Sequence, residues 1–455
     1  MAFKPLPIQT NSSIDVVNAI RNSASVDYRN YVPYAYESSD LRTIGNIIMD
    51  DPQLMNEFIK PLINRISLAF LTSDAYQNPW KALKKGILSK GEVVEEIFAD
   101  LIKGFAFDAD ADGSNAGLIF KRYEGNIHTA FHYTNVMCYY PNSVEYELLD
   151  RAFNSDAEMQ SFIKDGLIGA IYDSMEYDEF QLIKYLIAKR ACNGQIATVD
   201  ISGADTNSDI TAIIKGVSND FRFKKSKYNP AGVKTKSDPD RQYIILNTAF
   251  DAKVSVDVLA VAFNMDKAEF LGHKLLVDDF GDIDEDRLAS IIGSDAYEPL
   301  TSAEKTALSA VPAALFDDRF FQIYDKYLVM KEQENVLSLR WNYMLHNAKI
   351  ISSSPFHNAV LFTNGSPTVA SVTINPTAVT ASAGQTVQFT SSVSVSNFGS
   401  KAVIYTLSGA NSDDTVIDER GILRIASDED STEITVTATS VADSTKSASA
   451  TVTIA

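Results

Sequence analysis

The chain has two cysteines in 455 residues, too few for a disulfide framework to organise the fold. Cys138 and Cys192 are therefore expected as reduced thiols, which points to a reducing compartment. Long apolar runs are missing as well. None approaches the roughly 20 residues that span a bilayer, and MAFKPLPIQTNSS at the start has no signal-peptide core. Positive charge is in the minority: 40 Lys and Arg stand against 59 Asp and Glu, a formal net charge of −19. That balance argues against a protein that holds nucleic acid over most of its surface. There is no G-x-x-x-x-G-K-[ST] loop, no G-x-S-x-G elbow and no dinucleotide fingerprint, so no catalytic residue and no cofactor is assigned.

What is present is the composition of an ordinary soluble globular protein, 45% apolar and 22% charged, long enough for two or three domains. The stretch 243–280 reads as its organising unit. Tyr243 to Leu246 suits a buried strand, and Val256, Leu259, Ala260 and Phe263 share a helix face that Ser255 can cap. Asp266 and Glu269 form a capping pair, Gly272 releases the chain, and Leu275 to Val277 makes a second strand. Strand, helix, turn, strand, without an acid–base pair or phosphate loop, is a structural unit.

Taken in order, 1–40 reads as polar and irregular except for a short amphipathic helix carrying Ile14, Val17, Ile20 and Arg21, laid along a partner or the main body. A stronger helix begins with Asp51 as N-cap and Pro52 at its first position; Met55, Phe58, Ile59, Leu62, Ile63 and Ile66 line one face, and Pro61 is expected to bend it. From about 78 to 141 the pattern is that of a long two-stranded excursion, marginally stable alone and in need of a neighbour. From 155 to 193 the chain is helical, with Phe162, Leu167, Ile171 and Tyr172 on one stripe, Phe180, Ile183, Ile187 and Ala191 on another, and Gly194 as the stop. Residues 196–334 mix short strands and helices, among them one boxed by Thr301 and Glu304. LSLRWNYMLH and HNAVLF are expected to pair as long strands beside the long helix.

After a linker, Asn364 to Pro367, the composition shifts to Ser, Thr, Val and Ala. Alternating runs such as SVTIN, TVQFT, AVIYTL, EITVTAT and SATVTI give about seven strands in about 90 residues, an all-β immunoglobulin-like sandwich with Tyr405 in place of a core tryptophan.

Four constellations could carry chemistry. Asp108, Asp110, Asp112 and Gly113 begin like a calcium loop, but its twelfth position holds Ile119 instead of a bidentate Glu, so a solvated turn is the plainer account. His128 and His132 share a face, with Cys138 after them, but no fourth metal ligand is at hand. Phe221 to Tyr228 interleaves Arg222, Lys224, Lys225 and Lys227 with aromatics, followed by Lys234 and Lys236. Such a run can meet single-stranded nucleic acid, although pairing with acidic neighbours fits an acidic chain better. Lys81, Lys84, Lys85 and Lys90 face Glu92, Glu95 and Glu96 in both-sign patterning, the kind that fixes register between subunits.

VSVDVLAVAFNMDKAEFLG followed by VDDF resembles the major capsid proteins of small short-tailed phages of the phi-29 group. IDVVNAIRNS, LKKGILSKGEVVEEIFADL, IGAIYDSMEYDEFQLIKYLI, FFQIYDKY and RWNYMLHNAKIISSSPFHNAVLF fall in the same order, and DERGILRI resembles the turn and strand of group 2 bacterial immunoglobulin-like domains. The resemblance implies an α+β, Hong Kong 97-type phage capsid fold over 1–364: an N-arm at about 1–50, an E-loop at about 78–141, a P-domain with its spine helix at about 150–195 and strands at 335–364, and an A-domain at about 196–334. The sandwich at 365–455 is appended to it. It implies intersubunit contacts by Lys84, Lys85, Lys90, Glu92, Glu95 and Glu96 of the E-loop. The partners it implies are further copies of the chain, a separate scaffolding protein, a portal protein and enclosed double-stranded DNA held non-specifically, with no membrane. The protein would be assembled in a host cytoplasm and reside in the virion. An adhesin or tail-associated binding protein, and an enzyme with an accessory sandwich such as a carbohydrate hydrolase, are the competing readings.

Overall fold

The computed structural model describes residues 13–69, 76–88, 93–102, 104, 126–162, 169–254, 273–335, 337–338 and 340–454. The architecture is mixed α+β with a separate β-sandwich at the C-terminal end.

The apolar runs Gln242–Asn247, Ala313–Asp317 and Ala359–Thr363 are strands of one five-stranded sheet, in the order Ala197–Asp200, Ala359–Thr363, Ala313–Asp317, Gln242–Asn247, Lys274–Val277. Its outer pairs are parallel and its inner pairs antiparallel. The runs are continuously apolar because both faces are covered. Ile245, Ala314, Phe316 and Leu361 pack toward the long helix Gly169–Cys192, and Ile244, Leu246, Leu315, Val360 and Phe362 pack with Ile214, Val217 and Phe221 of the helix Asn207–Phe221. The organising unit 243–280 thus supplies two parallel neighbouring strands, while its Ser255 to Gly272 lie outside the described residues.

A second, four-stranded sheet is built on a long hairpin, Phe321–Asn335 with Arg340–Ser353, flanked by Val136–Glu145 and the short Gly86–Ile87. Here the expectation needs correcting. Arg340–Ser353 does not pair with Ala359–Thr363, which lies in the other sheet. Its partners are the strand from FFQIYDKY, taken above as part of the axial region, and Val136–Glu145, taken in part as excursion. Each run is apolar enough for either sheet, so local pattern could not choose between them.

Residues 13–50 differ too. They form three helices, Ser13–Ser23, Val26–Tyr31 and Asp40–Asp50, with Val17, Ile20, Tyr28, Leu41, Ile44 and Ile48 buried. Asn18 clamps both backbone groups of Ala35, donating to its carbonyl at 2.8 Å and accepting from its N–H at 2.9 Å. These helices, with Pro52–Ala69, close a second core on the far end of the long hairpin at Trp341, Tyr343 and Leu345. Asp51 accepts from the Gln53 N–H at 2.8 Å, the cap expected beside Pro52. The Thr301–Glu304 box is formed in both directions.

The long helix ends at Gly194, whose φ of +67° lets its N–H and that of Gln195 turn back onto the carbonyls of Ala191 and Arg190. In the sandwich, Glu433–Ser440 lies between Val403–Ser408 and Ser447–Ile454, and Thr368–Asn375 pairs with Thr390–Ser396. Phe389, Leu423, Ile434, Val436 and Val452 fill its own core. Tyr405 is half-buried against them and donates its hydroxyl to Ser391 at 2.9 Å. The DERGILRI turn closes on Asp418, which accepts from the N–H groups of Arg420 and Ile422.

The linker is held to the body. Asp200 accepts from the Gly365 N–H at 3.0 Å and from the Ser366 hydroxyl at 2.7 Å. Phe398, with φ of +61°, is buried in the long-helix core, and Lys401 reaches Glu304 at 3.2 Å.

Candidate functional site

The excursion leaves the body through a knot of buried polar groups. Asn78 accepts from the Trp80 N–H at 2.8 Å and donates its amide to Glu179 of the long helix at 3.0 Å. The Trp80 indole packs edge-on against Phe180, and its N–H donates to the Leu276 carbonyl at 2.9 Å. Beyond the single turn Lys81–Leu83, Lys84 pairs with Glu179 at 3.0 Å and with Asp325 of the long hairpin at 2.6 Å.

Lys349 completes the knot, bonded to Glu179 and 3.5 Å from Asp325. A register shift between Ala348 and Lys349 marks a bulge, the usual device for re-aiming a strand side chain. Burial, then the Lys84 ammonium, pushes the Lys349 ammonium down to about 7. Two lysines thus share two carboxylates contributed by helix and hairpin. Removing one partner of such a buried set costs about 3–5 kcal/mol.

Further out, Val94–Ala99 pairs antiparallel with Ile127–His132. The two faces differ. Inward, Glu96 accepts from the His132 Nε2 at 3.1 Å and from Gln322 at 2.7 Å, and its carboxylate lies 3.8 Å from the His357 Nε2. A carboxylate only accepts, so the His132 Nε2 donates to Glu96, and Nδ1 is hydrogen-bonded to the Ser352 hydroxyl at 2.9 Å. Phe98 stacks on Phe356 with ring centroids 5.7 Å apart. Outward, Glu95 opposes Phe131, Ile97 opposes Thr129 and Ala99 opposes Ile127. Ile97, Ile127 and Phe131 are 66%, 65% and 50% exposed, an apolar stripe on a strand pair whose other side is fixed.

The residues singled out from sequence therefore divide. Lys84 and Lys85 do not reach away from the chain: Lys84 is in the knot and Lys85 pairs with Asp318 at 3.1 Å. Glu96 is likewise held within the chain, and Glu95 is exposed. Lys90, Glu92, Asp108, Asp110 and Asp112 lie outside the described residues. His128 does not join His132 at a metal; it pairs with Asp100 at 3.1 Å, and no three-ligand cluster occurs among the described residues. Cys138 and Cys192 are free, and burial pushes the Cys192 thiol up to about 12.

In the basic run, Phe221 and Tyr228 are core residues, and Lys225 pairs with Asp220 at 2.7 Å. Glu179, Asp325, Lys349 and His357 went unremarked in sequence. A lysine immediately before an unbroken apolar pair, KII, in a strand was the one visible signal for Lys349. No helix among the described residues is long and apolar enough to cross a membrane.

This arrangement fixes the base of an excursion and presents an apolar face. The family described as Phi29-like phage major capsid protein matches residues 17–363. The chain is 31% identical over 435 residues to the major capsid protein of Bacillus phage B103, spanning 94% of this chain and 90% of that protein. It is 30% identical over 434 residues to that of Bacillus phage PZA, with the same coverage of 94% and 90%. Among solved structures, the capsid of Staphylococcus phage Andhra aligns at a TM-score of 0.48 and 14% identity, over 65% of this chain and 87% of that one.

Proposed function

The chain belongs to the family of Phi29-like phage major capsid proteins, and from that premise we propose how its parts divide the work of building a shell. Its function is that of a major capsid protein and it is a component of the virion; copies of it enclose the phage genome. The role is structural and non-catalytic.

The Hong Kong 97-type reading assigns the four-stranded sheet and long helix to the peripheral domain, the five-stranded sheet to the axial domain and the strand pair Val94–Ala99 and Ile127–His132 to the E-loop. The stripe Ile97, Ile127 and Phe131 then lies on an adjacent subunit, with Glu95 at its rim. That stripe is the observation that carries the reading: a two-stranded ribbon clamped from behind, with apolar side chains facing water, is built to be covered.

The C-terminal sandwich is read as an immunoglobulin-like domain of the group 2 bacterial kind, set against the body by Phe398 and Lys401 and bracing the outside of the shell. A scaffolding protein, a portal and non-specifically held double-stranded DNA complete the proposed partners, with assembly in the host cytoplasm. Electron microscopy and sedimentation of the full-length protein, alone and with its phage's scaffolding protein, test this. Megadalton shells are expected with scaffold. A protein that remains monomeric in both cases overturns it.

A further inference from the structure

We propose that the loop following the helix Asn207–Phe221 of one copy seats in a pocket on the next, so that a single chain carries both halves of a head-to-tail contact. The inference rests on the assembly reading above and adds a specific pair of surfaces to it. Closed rings of identical subunits need two different, mutually complementary patches on each chain.

The first patch is the loop. It is held rigidly: Phe221 and Tyr228 are buried, the Ser237 N–H donates to the Phe221 carbonyl at 2.7 Å, and Lys225 and Thr235 exchange backbone hydrogen bonds. On this frame Phe223 stands 64% exposed. Lys225 is neutralised by Asp220 and Lys236 by Asp238, at 2.7 and 2.9 Å. Arg222, Lys224 and Lys234 are exposed and have no ion-pair partner among the described residues. The loop therefore offers an aromatic ring flanked by uncompensated cations.

The second patch is a cavity of about 580 Å³ beside the long helix, with walls that include Tyr76, Tyr177 and Leu276 and a rim that includes Asp278, Asp282 and Asp284. Tyr76 and Tyr177 meet edge to face at 6.0 Å, and Leu276 is 42% exposed. Lys184 answers Asp278 at 2.7 Å and Asp284 caps the helix Glu285–Ile292, but Asp282 is exposed without an ion-pair partner among the described residues. Burial raises both phenols; Tyr177, Asp278 and Glu176 raise Tyr76 further, while for Tyr177 the push from Asp284 and Asp282 is opposed by a hydrogen bond to Gln181 and by Arg287.

Size and charge both match. The pocket has room for a phenyl ring, which Tyr76 and Leu276 can pack against, and although Arg287 and Lys184 already sit over Tyr177 and Phe180, Asp282 leaves a charge opposite to the loop's. A second copy is favoured over nucleic acid as the occupant of this scheme. The chain's net charge of −19 repels a polyanion and surrounds any basic loop with complementary copies.

The test uses full-length protein under conditions in which the wild type forms particles. Lys224→Glu and Asp282→Lys are each expected to lower particle yield about tenfold or more, with unchanged melting temperature. The double variant, which restores opposite charges across the contact, is expected to recover to within about threefold of wild type. Single variants that assemble like wild type, or a double no better than the worse single, overturn the contact while leaving the shell reading intact. So does a Lys224→Glu variant that assembles normally but retains less DNA. Wild-type protein that never assembles overturns the shell reading and this contact with it.

Discussion

Ser400, in the sandwich, occupies the space that a side chain on Gly194 would need: a Cβ there would lie 2.4 Å from the Ser400 Cα. The glycine ends the long helix at φ of +67°, so it is required twice, by its own backbone and by the neighbouring domain. Gly194→Ala is expected to lower the melting temperature of the body and loosen the sandwich together. Phe398→Ala, which empties a buried site in the same junction, should cost about 3 kcal/mol. Denaturant titration of both variants measures this; a Phe398→Ala protein as stable as wild type would remove the junction's claim to matter.

Deleting 367–455 uncovers the body around Phe398 and Gly194. The sandwich has its own closed core, so the isolated fragment is expected to melt cooperatively as a monomer. The truncated body should stay folded but lose stability and self-associate through the bared patch. Circular dichroism and sedimentation of the two pieces decide the matter, and an unfolded fragment would refute it.

The excursion gives a third expectation. Amides of Val94–Ala99 and Ile127–His132 should exchange quickly in free protein and slowly in shells, because the proposed role has the exposed apolar stripe covered by a neighbour. Equal protection in the two states would contradict the proposed role.

Lys349 predicts a pH dependence. Its folded value, about 7, lies below the ordinary lysine value of roughly 10.4. Between those values the unfolded chain binds the extra proton, so this group makes stability rise with pH from about 7 to about 10. Lys349→Met should flatten that part of the stability curve, as read from urea midpoints at several pH values. A variant with an unchanged slope would show that the knot does not titrate this way.

Acid acts on the other anchor. Burial, then Arg319, lowers His357, against the opposing pull of Asp317, Glu96 and Asp318. Burial alone would raise the Glu96 carboxyl, but hydrogen bonds from His132 and Ser354 bring it below its usual range. A lowered histidine loses stability as pH falls below about 6.5, and a lowered carboxylate as pH falls below about 4.5, so both act in one direction. Protection factors in the strand pair, taken against the intrinsic exchange rate at each pH, should fall from pH 7 to pH 5, and His357→Gln should blunt the upper part of that change.

Much of this was readable in advance, and the exceptions share a cause. The strand Gln242–Asn247, the Thr301 box, the stop at Gly194 and the sandwich are local, set by periodicity and capping within a few residues. Which strand Arg340–Ser353 pairs with is settled by partners far off in the chain, and no local rule reaches them. The knot was hidden for the same reason: Lys84, Glu179, Asp325 and Lys349 come from four separated segments. Lys84 looked like a surface charge because its partners were invisible. The helices in 13–50 were underread because they are short, and their burial comes from a core completed hundreds of residues later.

That last point bears on the order of events at the ribosome. Val17, Ile20, Leu41, Ile44 and Phe58 share a core with Trp341, Tyr343 and Leu345. The helices within 13–50 therefore have no finished place to go until residue 345 has emerged from the exit tunnel, and their apolar faces wait for that strand while the intervening chain is made. The sandwich emerges afterwards, and its Phe398 closes onto a body that has only just become complete. A nascent chain stalled before residue 340 should thus be a strong substrate for chaperones, and one stalled after the body has emerged a poor one.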